Sequence, residues 1–287
     1  MPSPEWEVVL EAGADLAEGP VWTEDSLWWV DLEAGRVHHS DPVTGSDEVI
    51  EVGEPVGAVI PRVGGGAVLG MRDGVALWDG EGREERRIPI EVDDDESRMN
   101  DAMCDPVGRL FTGTMTHDHR RSALYRVDPD GTVTTVFTGI GISNGLGWSP
   151  DGARMYYVDT PTQRVDVMTY DVATGAVGER RPLVRIADGE GFPDGMTVDA
   201  EGCLWVAFWD GGCVRRYDPD GRLVRTVSLP VDRVTSCAFG GAGLDRLYVT
   251  TASAGLDAAE LAAQPLAGSI FVVDPGCRGL PVSRFAG

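Results

Sequence analysis

Three observations predict an all-β chain folded as a six-bladed β-propeller. One hairpin pattern occurs six times, helical periodicity is nearly absent, and one mostly polar position recurs at the spacing of the hairpins. The copies are LWWVDLEAGRVHHSDPVTG (27–45), AVLGMRDGVALWDGEG (67–82), LFTGTM with SALYRVDPDG (110–131), MYYVDTPTQRVDVMTYDVATG (155–175), LWVAFWDGGCVRRYDPDG (204–221) and LYVTTA with GSIFVVDPG (247–276). Each joins short runs rich in Val, Tyr, Trp, Phe and Thr through turns such as D-P-D-G, the composition of strands linked as hairpins. Spread over six copies, 287 residues leave about 48 per unit, room for four short strands.

Ahead of the first copy, EWEVVLEA (5–12) reads as a further strand. It is expected to complete the blade that begins near Ser236, so that residues 1–287 form one closed ring without an exposed sheet edge. The single helix expected is a short one near Leu256–Ala263, with Asp257 as its cap. Trp22, Trp28, Trp29, Trp148 and Trp205 fall on strand positions and are expected to pack between blades.

Composition removes whole classes of function. The net charge of −23 repels phosphate backbones and anionic membranes, so neither nucleic acid nor membrane is an expected partner. All 24 basic residues are Arg; without Lys there is no Schiff-base chemistry, no pyridoxal phosphate anchor and no P-loop. Four His in two close pairs (His38 and His39, His117 and His119) leave a three-His zinc site hard to assemble. Five Cys (104, 203, 213, 237 and 277) without a C-x-x-C pair read as reduced thiols, and no apolar run reaches membrane-spanning length. A cytoplasmic protein is the expectation.

Upstream of each hairpin lies one residue followed by a small one: Glu18, Val56, Asp101, Asn144, Asp194 and Ser236, separated by 38, 45, 43, 50 and 42 residues. Near the start of a blade's innermost strand, these positions form a ring at one mouth of the central channel. Convergent Asp, Glu and Asn oxygens without His or Cys suit a hard divalent cation such as Ca²⁺, Mg²⁺ or Mn²⁺. The competing reading is a polar ring that holds water.

The segments AEGPVW (17–22), RMND (98–101), GRLFTGTM (108–115), SNGLGWSPDG (143–152), FPDGMTVDAEGCLWVA (192–207), VTSCAFGG (234–241) and the closing FAG (285–287) resemble, in order, the regucalcin and gluconolactonase family. The resemblance implies a six-bladed propeller with one divalent cation, Ca²⁺ before Zn²⁺, Mn²⁺ or Mg²⁺, and hydrolysis of a sugar lactone to the aldonic acid. It implies Glu18, Asn144 and Asp194 as metal ligands, Asp194 also as catalytic acid/base, and Arg98 and Asn100 as substrate-binding residues. Between Met115 and Ala123 this chain has only THDHRRS (116–122), where some relatives carry a longer lid with a substrate-contacting Glu; Asp118 stands at the matching offset. Asp101 is not a usual ligand in the family, and a role behind the ligands or through water is expected for it. Alternatives are the same cation acting on another ester or an organophosphate, and a non-catalytic calcium-binding or scaffold propeller.

Other motifs have plainer readings. Gly141–Gly145 fits the G-x-S-x-G nucleophile elbow, which requires a strand, a sharp turn and a helix. A strand and hairpin are expected here instead, His117 and His119 are the only distant bases, and Ser143 reads as a turn hydroxyl. The run Asp93–Glu96 lacks the Gly and terminal Glu of an EF-hand and reads as a solvated connector. His38 and His39 alternate on one strand, so at most one faces inward, and surface or turn roles are expected.

Overall fold

In a computed structural model that describes residues 5–116, 118, 119 and 121–287, the chain winds through six antiparallel sheets set around one axis. Blade 1 runs Ala17–Thr23, Ser26–Asp31, Arg36–Asp41 and Ser46–Glu51, each strand paired with the next. The remaining blades begin with the innermost strands Ala58–Pro61, Ser97–Cys104, Ser143–Trp148, Phe192–Val198 and Val234–Gly240. This is the expected six-bladed β-propeller.

Turn chemistry sets the hairpins. In Asp128–Gly131 and Asp218–Gly221, Pro fixes the backbone of the second residue. The Gly, at φ +90° and +83°, donates its N–H to the Asp carbonyl at 2.8 Å. That left-handed position is open to Gly because it has no Cβ to clash. The one α-helix among the described residues, Ala258–Ala263, starts at a capping box. Asp257 accepts from the amides of Ala259 and Glu260, and Glu260 bonds back to the Asp257 amide.

The hydrophobic core is divided into six parts, one between each pair of neighbouring blades. Trp29, Trp205 and Trp148 are buried in these seams. Trp22 and Trp28 are only partly so: Trp22 stacks on Tyr248 and Trp28 on His39. His38 is buried, not at the surface or in a turn: its ring stacks on Trp29 at 3.7 Å and Nδ1 lies 2.8 Å from Asp47.

The sixth sheet joins the N-terminal strand to three strands from the last part of the chain. Trp6–Leu10 pairs with Ile270–Val273, which pairs with Arg246–Thr251. The C-terminal segment then runs from blade 6 to blades 2 and 3. The Gly279 amide bonds to Leu244 and the Phe285 amide to Pro61, while the Phe285 side chain is buried between blades 2 and 3. Among the described residues no helix is long and apolar enough to cross a membrane, and all five Cys are free thiols.

Candidate active site

A one-residue bulge marks the innermost strand in five of the six blades. Glu18 faces Val30 while Val21 faces Trp28, so three steps on one strand match two on its partner. The same irregularity falls at Met99/Ala102, Ser143/Leu146, Pro193/Met196 and Val234/Ser236. An extra residue breaks the alternation of side chains and re-aims one of them. The bulge thus turns Glu18, Asp101, Asn144 and Asp194 out of their sheets toward the channel, at the position the repeat spacing picks out.

The small residue after each ring position has a structural cause. A Cβ on Gly57 would lie 2.5 Å from the Asn100 carbonyl, on Gly145 2.7 Å from the Asp194 carbonyl, and on Gly195 2.2 Å from the Ser236 hydroxyl. At these three junctions the backbone of one blade lies against the bulged start of the next blade's innermost strand. Gly19 differs: its surroundings leave space, and its φ of +52° is what favours Gly. The channel continues below the ring into a cavity of about 410 Å³, lined partly by the C-terminal residues 280–283.

Three ring carboxylates lie within electrostatic reach of one another. Glu18 accepts the Gly19 amide at 3.0 Å, Asp101 accepts the Ala102 amide at 2.8 Å, and Asp194 takes the Gly195 amide. Burial pushes Glu18 up to about 8, with Asp101 adding repulsion and the Gly19 amide and Arg98 opposing. Burial likewise lifts Asp101 to about 7, against the Ala102 amide. Asp194 is raised well above the usual range by burial and then by the charges of Glu18 and Asp101.

Those shifts set a pH dependence. A carboxylate whose folded-state pKa is raised contributes fully while protonated in both states, and that contribution is lost as pH rises from the unfolded value of about 4 through the folded one. Chelator-treated protein is therefore expected to melt at falling temperature between pH 5 and pH 9 in scanning calorimetry. Added Ca²⁺ is expected to recover much more at pH 8.5 than at pH 5, where protons occupy the same oxygens. A melting temperature flat across that window would contradict the crowding of these charges.

The amides of the site are connected. Asn100 donates from Nδ2 to the Ser143 carbonyl at 2.8 Å and to Asn144 Oδ1 at 2.7 Å, and its Oδ1 accepts from Arg98 at 2.6 Å. Asn144 donates from Nδ2 to Thr160 Oγ1 at 2.8 Å, and Thr160 donates to the Pro193 carbonyl at 2.8 Å. Arg98 reaches over blade 2 to Glu33 of blade 1, with Nε 3.1 Å from the carboxylate, and burial lowers its pKa. Thus Arg98, Asn100, Asn144 and Asp194 belong to one connected site that spans blades 3, 4 and 5.

Asp118 lies on the exposed rim. It accepts from Thr116 Oγ1 at 2.7 Å and Arg121 Nε at 3.1 Å, and Arg121 also clasps Asp94 and Glu96, both at 2.8 Å. The run Asp93–Glu96 is thus a surface connector tied to the segment that carries Asp118. Ser143 is a fully buried strand residue that accepts from the Tyr157 hydroxyl, not a turn hydroxyl, and no helix follows it. His117 lies outside the described residues.

Sequence reasoning missed Thr160, Glu33 and Arg121. A signal existed for Thr160: Asp31 and Asp159 both end a second strand, where both cap the amides entering the innermost strand. Blade 1 follows its Asp with the apolar Leu32, whereas blade 4 follows it with a hydroxyl.

The oxygens fit a divalent cation by their chemistry. Buried Asp194 and half-buried Glu18 and Asp101 repel one another, with the Arg98 guanidinium as the opposing charge on Glu18, and Asn144 adds a neutral oxygen. Among the described residues no three His, Cys, Asp or Glu stand together as a ready cation cage, so the carboxylates alone do not form one.

Residues 16–253 match the SMP-30/Gluconolactonase/LRE-like region. The chain is 42% identical to a pentonolactonase of Haloferax volcanii over 96% of both chains, and 41% identical to regucalcin of Gallus gallus over 95% of both. Among solved structures it superposes on a luciferin-regenerating enzyme with TM-score 0.91 at 32% identity, covering 99% of this chain and 100% of that one. A calcium-binding regucalcin of Agrobacterium tumefaciens gives TM-score 0.91 at 30% identity, over 97% of each. With the family model matching most of the chain and relatives at about 40% identity along nearly all of it, the chain belongs to the SMP-30/gluconolactonase/LRE-like family, whose named members include lactone hydrolases.

Proposed function

We propose that this protein is a divalent-cation-dependent lactone hydrolase that opens a sugar lactone to its aldonic acid, the six blades acting as one domain around the channel. The observation that carries this reading is the joining of a crowded carboxylate ring to a hydrogen-bonded Arg98–Asn100–Asn144 series at one mouth. The relatives named pentonolactonase and regucalcin support the substrate class and the cation.

Glu18, Asn144 and Asp194 would hold the cation. When bound, it supplies Lewis acidity that polarises the acyl group and stabilises developing negative charge. Asp194, whose proton affinity is raised by burial and by Glu18, takes a proton from the attacking water. A new C–O bond forms at the acyl carbon, the ring C–O bond breaks, and the same proton passes to the departing ring oxygen. Arg98 and Asn100 orient the sugar hydroxyls through directed donors. Asp101 sets the charge around Asp194 from behind, and Asp118 meets the outer end of the substrate at the rim.

The test is acid release from glucono-1,5-lactone and from pentono-1,4-lactones, background subtracted, with chelated protein given Ca²⁺, Mg²⁺, Mn²⁺ or Zn²⁺ in turn. Turnover restored by a cation, with one ring size preferred, is the expected result. No turnover on any lactone with any cation would overturn the reading and leave ester or organophosphate hydrolysis, or a calcium-binding scaffold.

A further inference from the structure

We propose that Thr160 is a positioning residue that fixes which end of the Asn144 amide faces the channel cation. The inference rests on the reading of Asn144 as a ligand and extends it to a residue outside the ring.

A Thr hydroxyl has one proton to donate. Thr160 Oγ1 lies 2.8 Å from the Pro193 carbonyl, a group that can only accept, so the proton is committed there. Toward Asn144, 2.8 Å away, the hydroxyl can therefore only accept, and the atom it faces is the amide nitrogen. On the other side, Asn100 is fixed independently. Its Nδ2 lies 2.8 Å from the Ser143 carbonyl and its Oδ1 takes a bond from Arg98, so it presents N–H to Asn144. Both neighbours thus demand one orientation of Asn144, with nitrogen toward Thr160 and oxygen toward Asn100.

Reversing the amide would set N–H against N–H at Asn100 and oxygen against a lone pair at Thr160. The Oδ1 that accepts from Asn100 keeps a second lone pair for a cation, which an amide nitrogen cannot offer. Thr160 is buried, at 8% exposure, and starts the 3₁₀ turn Thr160–Thr162 that follows the strand Arg154–Asp159. Bulk water therefore has little access to replace the hydroxyl. By bonding the carbonyl of Pro193, the residue before Asp194, the same hydroxyl also ties the Asn144 strand to the Asp194 strand. All the bonds from Arg98 to Pro193 are donated in one sense, the arrangement in which each polarises the next.

The test uses chelator-stripped full-length protein titrated calorimetrically with Ca²⁺, Mg²⁺, Mn²⁺ and Zn²⁺ in separate runs. Thr160→Val keeps the shape and removes the hydroxyl. It is expected to weaken cation binding by about tenfold or more, the scale seen when the group orienting a metal ligand is lost. Thr160→Ala carries the same expectation should Val fail to fold, and Thr160→Ser is expected to stay near wild type. In an Asn144→Asp background, where both ligand atoms are oxygen, Thr160→Val is expected to add little further loss. Thr160→Val with wild-type cation affinity and only a lower melting temperature would overturn the inference and leave Thr160 a packing residue. Wild type that binds none of the four cations would overturn the ligand reading beneath it, a distinct result.

Discussion

Asp194→Asn is expected to lower kcat/KM for lactone opening about a thousandfold, roughly 4 kcal/mol of lost transition-state stabilisation, while leaving the fold intact. The substitution keeps volume and one oxygen but removes the charge and the basicity. Removing a general base costs about 10² to 10⁴ in rate, and here the residue is also assigned to the cation, so both contributions fall together. The carboxylate crowding supplies an internal control. Asp194 is raised by burial and by the charges of Glu18 and Asp101, so in chelated protein at pH 8 its ionised form opposes folding. Neutralising it should raise the melting temperature of the cation-free protein even as activity disappears. Steady-state kinetics with saturating cation and calorimetry on the chelated form read the two effects separately. A variant that retains turnover within tenfold of wild type would sink the assignment of Asp194 as the base.

The repeat made the architecture legible, because each blade uses the same turns and the same spacing. Glu18, Asp101, Asn144 and Asp194 could be picked out as one position sampled in different blades, without any knowledge of what surrounds them. The sequence does not state how that position reaches the channel. The register slips by one residue there, as between Glu18 and Val21 or Pro193 and Met196, and a bulge is a property of two strands together. Contacts between distant parts of the chain were equally hidden: Thr160 meets Asn144 within its own blade and Pro193 of the next, across 16 and 33 residues. Alternation along Arg36–Asp41 showed that only one of His38 and His39 can face inward. It could not show that His38 is the one, because Trp29 and Asp47 on neighbouring strands decide it. The FAG ending was visible as a motif, yet the burial of Phe285 against blades 2 and 3 depends on a tail that runs there from blade 6.

Removal of residues 1–10 is expected to abolish the soluble folded protein, because the last blade is built from the N-terminal strand and three strands between residues 234 and 273. Trp6 pairs with Val273 and Val8 with Phe271, and the Trp6 ring meets the Phe271 ring edge-on at 5.4 Å. Trp6 and Val8 pack into the core between blades 5 and 6, and Val9 and Leu10 into the core between blades 6 and 1. Without this strand, Ile270–Val273 becomes an unpaired edge whose Ile270, Phe271 and Val273 side chains, now fully buried, lose cover. Exposed apolar edges of that kind template association with other chains. The two seams that close the circle weaken at the same time, so the loss is expected to be cooperative and not confined to one blade. Size-exclusion chromatography should show aggregate in place of the intact protein's discrete peak, and calorimetry should show no sharp transition. A synthetic peptide covering residues 1–12, added during refolding, should recover folded protein with a sharp thermal transition, since the missing strand is joined to the ring by pairing and packing that do not need the peptide bond. A truncated protein that melts cooperatively within a few degrees of the intact chain would show that the other strands close the ring unaided.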